Sequence, residues 1–266
     1  NNKYLTGTNP SVGCVIVKNN KILSFATTHN GGRPHAESIA LNKNKYNKGT
    51  FLYSTLEPCS HHGVTPPCTN AIIKNKVKRV YYSIEDKDLR TFNKTKKILN
   101  SKKIVAISGL QKRNVKNLYK EYNYIRSNKA PYIVGKIASS SNLNILRNNT
   151  PITNEHSRSV SHILRFQNHA IITSCKTINT DNPKLNCRLN GLEKFSPSVV
   201  VIDKNLEIKI NSYVIKNSKQ SKLIIFHNSN NISKIKLLKN RGVKLIYQKL
   251  KNKNNFNLRK ITQTLY

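Results

Sequence analysis

Four side chains stand out for the chemistry they can do together: His35, Glu37, Cys59 and Cys68. An imidazole and two thiolates make three zinc ligands. Structural zinc sites close with four protein ligands, whereas three ligands plus water is the catalytic arrangement. Glu37 is then the acid/base, because a carboxylate beside a zinc-bound water can take its proton. The predicted reaction is attack of hydroxide on a ring carbon bearing an exocyclic amine, with Glu37 delivering protons to the ring nitrogen and the departing ammonia. The competing reading is a zinc staple completed by a fourth ligand, with His29, His61 and His62 as candidates. It leaves Glu37 without a task.

These groups need elements to hold them. Pro34 and Pro67 each stand before a predicted helix, and proline is favoured at helix starts. His35 and Cys68 therefore fall near helix N-termini, where the positive dipole end favours thiolate over thiol. Pro58 stiffens the approach to Cys59. The pattern predicts strands over Val12–Val17, Lys21–Thr27, Phe51–Ser54, Arg79–Ser83 and Ile104–Ile107, with Cys14 packed in the core. Helices are expected over Ala36–Asn44, Thr69–Asn75, Thr91–Asn100 and Lys112–Ile125. A polar stretch ending at Pro131 marks a boundary, dividing the chain into domains at 1–126 and 131–266. Beyond it, strands are expected at Tyr132–Ala138, Ala170–Thr173, Val199–Ile202, Leu223–Phe226 and Val243–Tyr247, with helices at Glu155–Phe166 and Leu258–Tyr266. Both halves read as α/β.

Length and composition set outer limits. The 266 residues are 37% hydrophobic and carry 47 Lys+Arg against 11 Asp+Glu, a net charge of +36. No stretch approaches the roughly 18 apolar residues of a membrane span, and residues 1–8 lack a signal-peptide core. A cytoplasmic address is expected. The absence of any methionine and the abrupt end at Tyr266 suggest a piece of a longer protein. The five cysteines are odd in number and dispersed, which argues against a disulfide framework. So basic a chain raises the alternative of a zinc deaminase acting on tRNA or single-stranded DNA. The lysines are scattered, however, without a dense block or an aromatic ladder, so no nucleic-acid partner is expected.

Zinc deaminases of nucleosides and nucleic acids share an H-x-E…P-C-x-x-C pattern. Here eight residues separate the two cysteines. The string T-L-E-P-C-S-H-H-G-V-T-P-P-C, Thr55 to Cys68, resembles the bifunctional deaminase-reductase family of riboflavin biosynthesis. Asn9-Pro10-x-Val12-Gly13-Cys14 and Gly32-x-Pro34-His35-Ala36-Glu37 are similar to it too. The resemblance implies a cytidine-deaminase-like three-layer α/β/α domain, followed by a dihydrofolate-reductase-like α/β domain that is incomplete here. It implies deamination of 2,5-diamino-6-(5-phosphoribosylamino)pyrimidin-4-one, then reduction of the ribosyl group to ribityl by NADPH. It places zinc on His35, Cys59 and Cys68, the proton shuttle on Glu37, the substrate base near Asn9, and His61 on the loop shaping the pocket.

In the second half the resemblance runs through Pro131-Tyr132-Ile133, Lys136, Ile152-Thr153, Leu164-Arg165, Thr177, Asp181-Asn182-Pro183, Leu185 and Arg188. It implies NADPH contacts from Ala138, Pro151, Thr177 and Asp181. Substrate contacts are implied for Asn149, Arg165, Leu185 and Arg188, and a guanidinium fork suits a ribose phosphate. It also implies a homo-oligomer. The sequence departs from the family at Asp86–Leu89, at Val64, where a long polar or basic residue is usual, and at Ser140–Leu143. A later glycine-rich cofactor segment has no counterpart before Tyr266, so an incomplete NADPH site is expected.

Overall fold

Alternation of buried and half-buried residues along short apolar runs builds the first sheet. In β1 (Gly13–Lys18) Cys14 and Ile16 face the core, and in β3 (Phe51–Leu56) Leu52, Ser54 and Leu56 do so. The structure, a computed structural model, describes residues 3–44, 47–143, 153–252 and 254–266. The chain divides into two compact units between Tyr132 and Ile133.

In the first unit β1 pairs antiparallel with β2 (Lys21–Thr27) and with β3, after α1 (Ala36–Asn42). Strands β3, β4 (Arg79–Ile84) and β5 (Val105–Ser108) run parallel, giving the order β2-β1-β3-β4-β5. Parallel neighbours need crossovers. These are α2 (Cys68–Lys74) and α3 (Thr95–Ser101). Helices α4 (Lys112–Lys116) and α5 (Lys120–Asn128) follow.

Two hydroxyls show the layers. Ser54, opposite Cys14 in the sheet, donates to Glu37 Oε1 of α1 on one face. Thr55, pointing the other way, accepts the Gly13 N–H and meets Tyr119 Oη at 2.6 Å. Tyr119, fully buried just ahead of α5, donates onward to Ser11 O. The sheet thus lies between helical layers, a cytidine-deaminase-like α/β/α arrangement.

The helix expected over Lys112–Ile125 is broken between α4 and α5, and the break lets Tyr119 turn inward. The one expected from Thr91 begins only at Thr95, because the Glu57 carboxylate captures the Asn93 and Thr95 N–H groups.

The second unit carries α6 (Glu155–Gln167), β6 (Ala170–Ser174), α7 (Cys175–Asp181), β7 (Ser198–Ile202), α8 (Tyr213–Lys216) and β8 (Ile224–His227). Helix α9 (Ile232–Asn240), β9 (Lys244–Tyr247) and α10 (Leu258–Leu265) complete it. The four strands are parallel and in sequence order. Val199, Val201 and Ile225 pack with Ile178, Val214, Ile215 and Leu238 of α7–α9. On the other face Val200 and Phe226 pack with Ile261 of α10. Burial on both faces explains why β7 reads as an unbroken apolar run rather than an alternation.

Tyr132–Ala138 is not a strand. Ile133 and Ile137 are 69% and 79% exposed, and β-propensity without a pairing edge does not make a sheet. Helices α7 to α9 were not expected from the sequence. Side-chain caps start two of them, with Ser174 Oγ on the Thr177 N–H and Asn231 Oδ1 on the Lys234 N–H.

Candidate active site

The strongest cluster of reactive side chains forms where the starts of α1 and α2 converge beyond β3. His35 is the residue before α1 and Cys68 is the first residue of α2, while Cys59 sits three residues past the end of β3. His35 Nδ1 is 3.5 Å from Cys59 Sγ and 3.4 Å from Cys68 Sγ. All three ligand atoms lie within 4.8 Å of one another. Around a tetrahedral zinc, with bonds of about 2.3 Å to sulfur and 2.0 Å to nitrogen, the nitrogen–sulfur separation is about 3.5 Å. The three groups therefore fit zinc as they stand.

The electrostatics favour the same occupant. The Cys68 backbone N–H, left without an intrahelical partner at the start of α2, donates to Cys59 Sγ at 3.2 Å. Hydrogen bonding from the Cys68 thiol, reinforced by His35 and opposed by burial, brings the Cys59 thiol down to about 4. The same hydrogen bond with Cys59, with burial behind it, pushes the Cys68 thiol well up. The bond to Cys59 also raises the His35 imidazole. These hydrogen bonds favour the thiolate form of Cys59, and metal binding releases the protons its ligands still carry. Glu37 is buried, and its carboxyl is raised by burial first and the Cys59 charge second. Ser54 holds Oε1, while Oε2 lies 3.5 Å from Cys68 Sγ.

The candidates for a fourth ligand are elsewhere engaged or absent from the cluster. His61 Nδ1 pairs with Thr91 Oγ1 at 3.0 Å, and His29 Nδ1 pairs with Asn30 O. Among the described residues the ligand group consists of His35, Cys59 and Cys68. Asn9 borders the same region, since its Nδ2 donates to Gly32 O. A Cβ on Gly32 would sit 2.5 Å from Thr6 O and 2.6 Å from Asn9 Nδ2, and its φ is +86°. Only glycine fits there.

One residue was missed. Glu57, almost wholly buried, accepts the N–H groups of Asp86, Asn93 and Thr95, all at 3.2 Å. Thr95 Oγ1 binds Pro58 O, and Thr91 holds His61. The loop after β4 is therefore fastened to the turn bearing Cys59. Asp86 and Asp88, noted only as departures, stiffen that loop. Asp88 pairs with Arg90 at 2.6 Å, and Tyr122 donates to Asp86. The signal was the Glu in T-L-E-P-C, but its partners are backbone amides, which leave no mark in a sequence.

The residues expected to serve the second unit are more dispersed. Arg165 Nη1 donates to Asn186 O at 3.2 Å and meets His162 Nδ1 at 3.3 Å. The Arg188 backbone N–H also donates to His162 Nδ1, at 3.1 Å, bringing the two arginines to one imidazole. That nitrogen is an acceptor, so the His162 proton sits on Nε2. Leu185 has its side chain in the core and a φ of +57°, so its backbone is what it can offer a ligand. Thr177 lies in the first turn of α7 beyond the carboxyl end of β6, and exposed Asp181 ends that helix. Parallel sheets bind nucleotides outside the carboxyl ends of their strands, and a hydroxyl and a carboxylate suit ribose hydroxyls. That donor set fits the ribose hydroxyls of a nicotinamide dinucleotide. Ala138 is half-buried in an irregular segment. Asn149 and Pro151 lie outside the described residues.

Comparisons with known proteins agree with both halves. Residues 1–84 match the cytidine and deoxycytidylate deaminase zinc-binding region, and residues 130–266 match the RibD C-terminal domain. Riboflavin biosynthesis protein RibD of Aquifex aeolicus (strain VF5) is 33% identical over 267 residues, covering 99% of this chain and 73% of the relative. The RibD protein of Escherichia coli (strain K12) is 35% identical over 196 residues, covering 72% of this chain and 53% of its own length. The chain thus spans about half to three quarters of these curated relatives. Among solved structures, Acinetobacter baumannii RibD (form 2) has a TM-score of 0.85 at 28% identity, covering 98% of this chain and 72% of that one. The Thermotoga maritima diaminohydroxyphosphoribosylaminopyrimidine deaminase/5-amino-6-(5-phosphoribosylamino)uracil reductase has a TM-score of 0.76 at 26% identity, covering 96% and 85%. With a matching region in each half and a fold shared along nearly its whole length, the chain belongs to the RibD family of riboflavin-biosynthesis proteins.

Proposed function

We propose that the first unit deaminates 2,5-diamino-6-(5-phosphoribosylamino)pyrimidin-4-one and that the second reduces the ribosyl group of the product to ribityl. The observation that carries this is the three-ligand cluster with a buried carboxyl beside it, in a chain whose other half matches the RibD C-terminal domain. When bound by His35, Cys59 and Cys68, zinc supplies the Lewis acidity that activates water at neutral pH. Glu37 moves the protons. Ser54 occupies its Oε1, leaving Oε2 to take a proton from water and pass it to the ring nitrogen and the amine. One water is consumed and one ammonia released. Asn9, held beside Gly32, and His61, held by Thr91, border the base.

In the second unit Arg165 and Arg188 bind the ribose phosphate as a guanidinium pair. Thr177 and Asp181, with Ala138, hold NADPH, which supplies the hydride when bound. A deaminase acting on nucleic acid finds no support in a chain that continues into a RibD C-terminal domain. No helix among the described residues is long and apolar enough to cross a membrane. A cytoplasmic, self-associating enzyme completes the reading.

The test supplies the diamino pyrimidine to the full chain with and without NADPH, following ammonia and NADPH absorbance together. Stoichiometric ammonia in both arms, with NADPH consumed in one, is the expected result. No ammonia from this substrate, but ammonia from tRNA, overturns the assignment.

A further inference from the structure

The segment between Lys48 and Lys74 contains no lysine or arginine, in a chain that has 47 of them. It carries Cys59, Cys68 and the loop from Ser60 to Pro66 at the rim of the candidate site. A rim that must admit a phosphate ester therefore brings no cation of its own. One reaches it from the opposite side. Arg33 Nη2 lies 3.8 Å from where a Cβ would stand on Gly63, and His61 Nε2 lies 4.0 Å from the same point. The guanidinium thus bridges from the segment before α1 to the loop beyond Cys59.

Its backbone is fixed while its head is free. Arg33 is extended (φ −147°, ψ 146°) and follows Gly32, whose carbonyl Asn9 holds. The side chain is exposed and forms no ion pair among the described residues. The two nearby carboxylates are engaged, Glu37 with Ser54 and Cys68 and Glu57 with backbone amides. A planar guanidinium with open donors at the mouth of a site is suited to paired hydrogen bonds with phosphate oxygens.

We infer that Arg33 receives the substrate's 5-phosphate at the mouth of the deaminase site and makes that site selective for phosphorylated ribosylaminopyrimidines. The inference rests on the deaminase reading above.

The test compares kcat/KM for ammonia release from the phosphorylated substrate and from the same base carrying an unphosphorylated ribosyl group. Arg33→Ala lowers the ratio of the two about tenfold or more, the scale of losing hydrogen bonds to a charged group. Val64, beside Gly63 and 82% exposed, is the place to rebuild the charge, so Arg33→Ala with Val64→Lys restores the ratio. Added salt erodes the ratio in the parent protein and spares it in Arg33→Ala. A ratio within twofold of the parent in Arg33→Ala, or an equal loss on both substrates, overturns the inference while the deaminase assignment stands. A parent protein that releases no ammonia from either compound overturns both.

Discussion

The two candidate sites are built on different principles. In the first unit three ligand atoms and a carboxyl lie within bonding range before any metal arrives. Their protonation is interlocked, one thiol lowered because its neighbour keeps a proton. In the second unit Arg165 and Arg188 meet only through His162, Thr177 and Asp181 lie at the two ends of α7, and none of the four is buried. A site that must hold an ion at fixed bond lengths has to be preorganised. A site that grips a large flexible substrate through phosphate and ribose can be assembled from exposed groups. The acid census reflects this: Glu37, Glu57, Glu85, Asp86 and Asp88 are five of only eleven carboxylates in the chain. All five belong to the first unit, and Glu37, Glu57, Asp86 and Asp88 hold their surroundings through hydrogen bonds, from Ser54 on β3 to the loop after β4.

Each contrast can be broken. The largest effect is expected for Glu37→Gln, which removes the proton carrier and keeps the ligands. Ammonia release falls about 10³-fold, while zinc content by metal analysis and NADPH oxidation with the pre-formed uracil product both persist. Turnover surviving that change removes Glu37 from its role and with it the claim that the cluster acts as a unit.

A graded response is expected in the second unit. Arg165→Ala raises KM in the reductase reaction only about tenfold, because Arg188 remains to hold the phosphate, and leaves NADPH affinity, measured by fluorescence titration, in place. A collapse to no measurable reduction means that this site is as tightly coupled as the zinc cluster.

The smallest effect concerns pH. Partial burial, and then the neighbouring Arg165 and Arg188 charges, hold the His162 imidazole below its usual value. A group whose folded pKa is depressed stabilises the fold above its unfolded value, about 6.5, and that contribution is lost as pH falls through the folded value. Thermal melts should show a slight loss of stability below about pH 6.5, shrinking in His162→Asn. An identical acid-side loss in the variant assigns the titration elsewhere.

Much of the first site was legible because its residues sit in short strings. P-H-A-E and E-P-C…P-P-C pair donor types with prolines, and the convergence of His35, Cys59 and Cys68 follows once the two helices pack on one sheet. The second half was less so. Its strands were read, β7 among them despite an apolar run without a period, but α7 to α9 were not expected, and Tyr132–Ala138 has strand-forming residues with no edge to join.

The sequence by itself determined the chemistry: which atoms can bind zinc, which carboxyl can shuttle protons, and that two α/β halves follow one another. Only the tertiary structure decided what holds those atoms still. Glu57 grips three amides up to 38 residues away, and Tyr119 reaches Ser11 across 108 residues. The reason is physical. A side chain's donors and acceptors are written in its residue type, but every residue other than proline carries the same backbone N–H, so which ones a buried carboxylate collects is settled by the path of the folded chain.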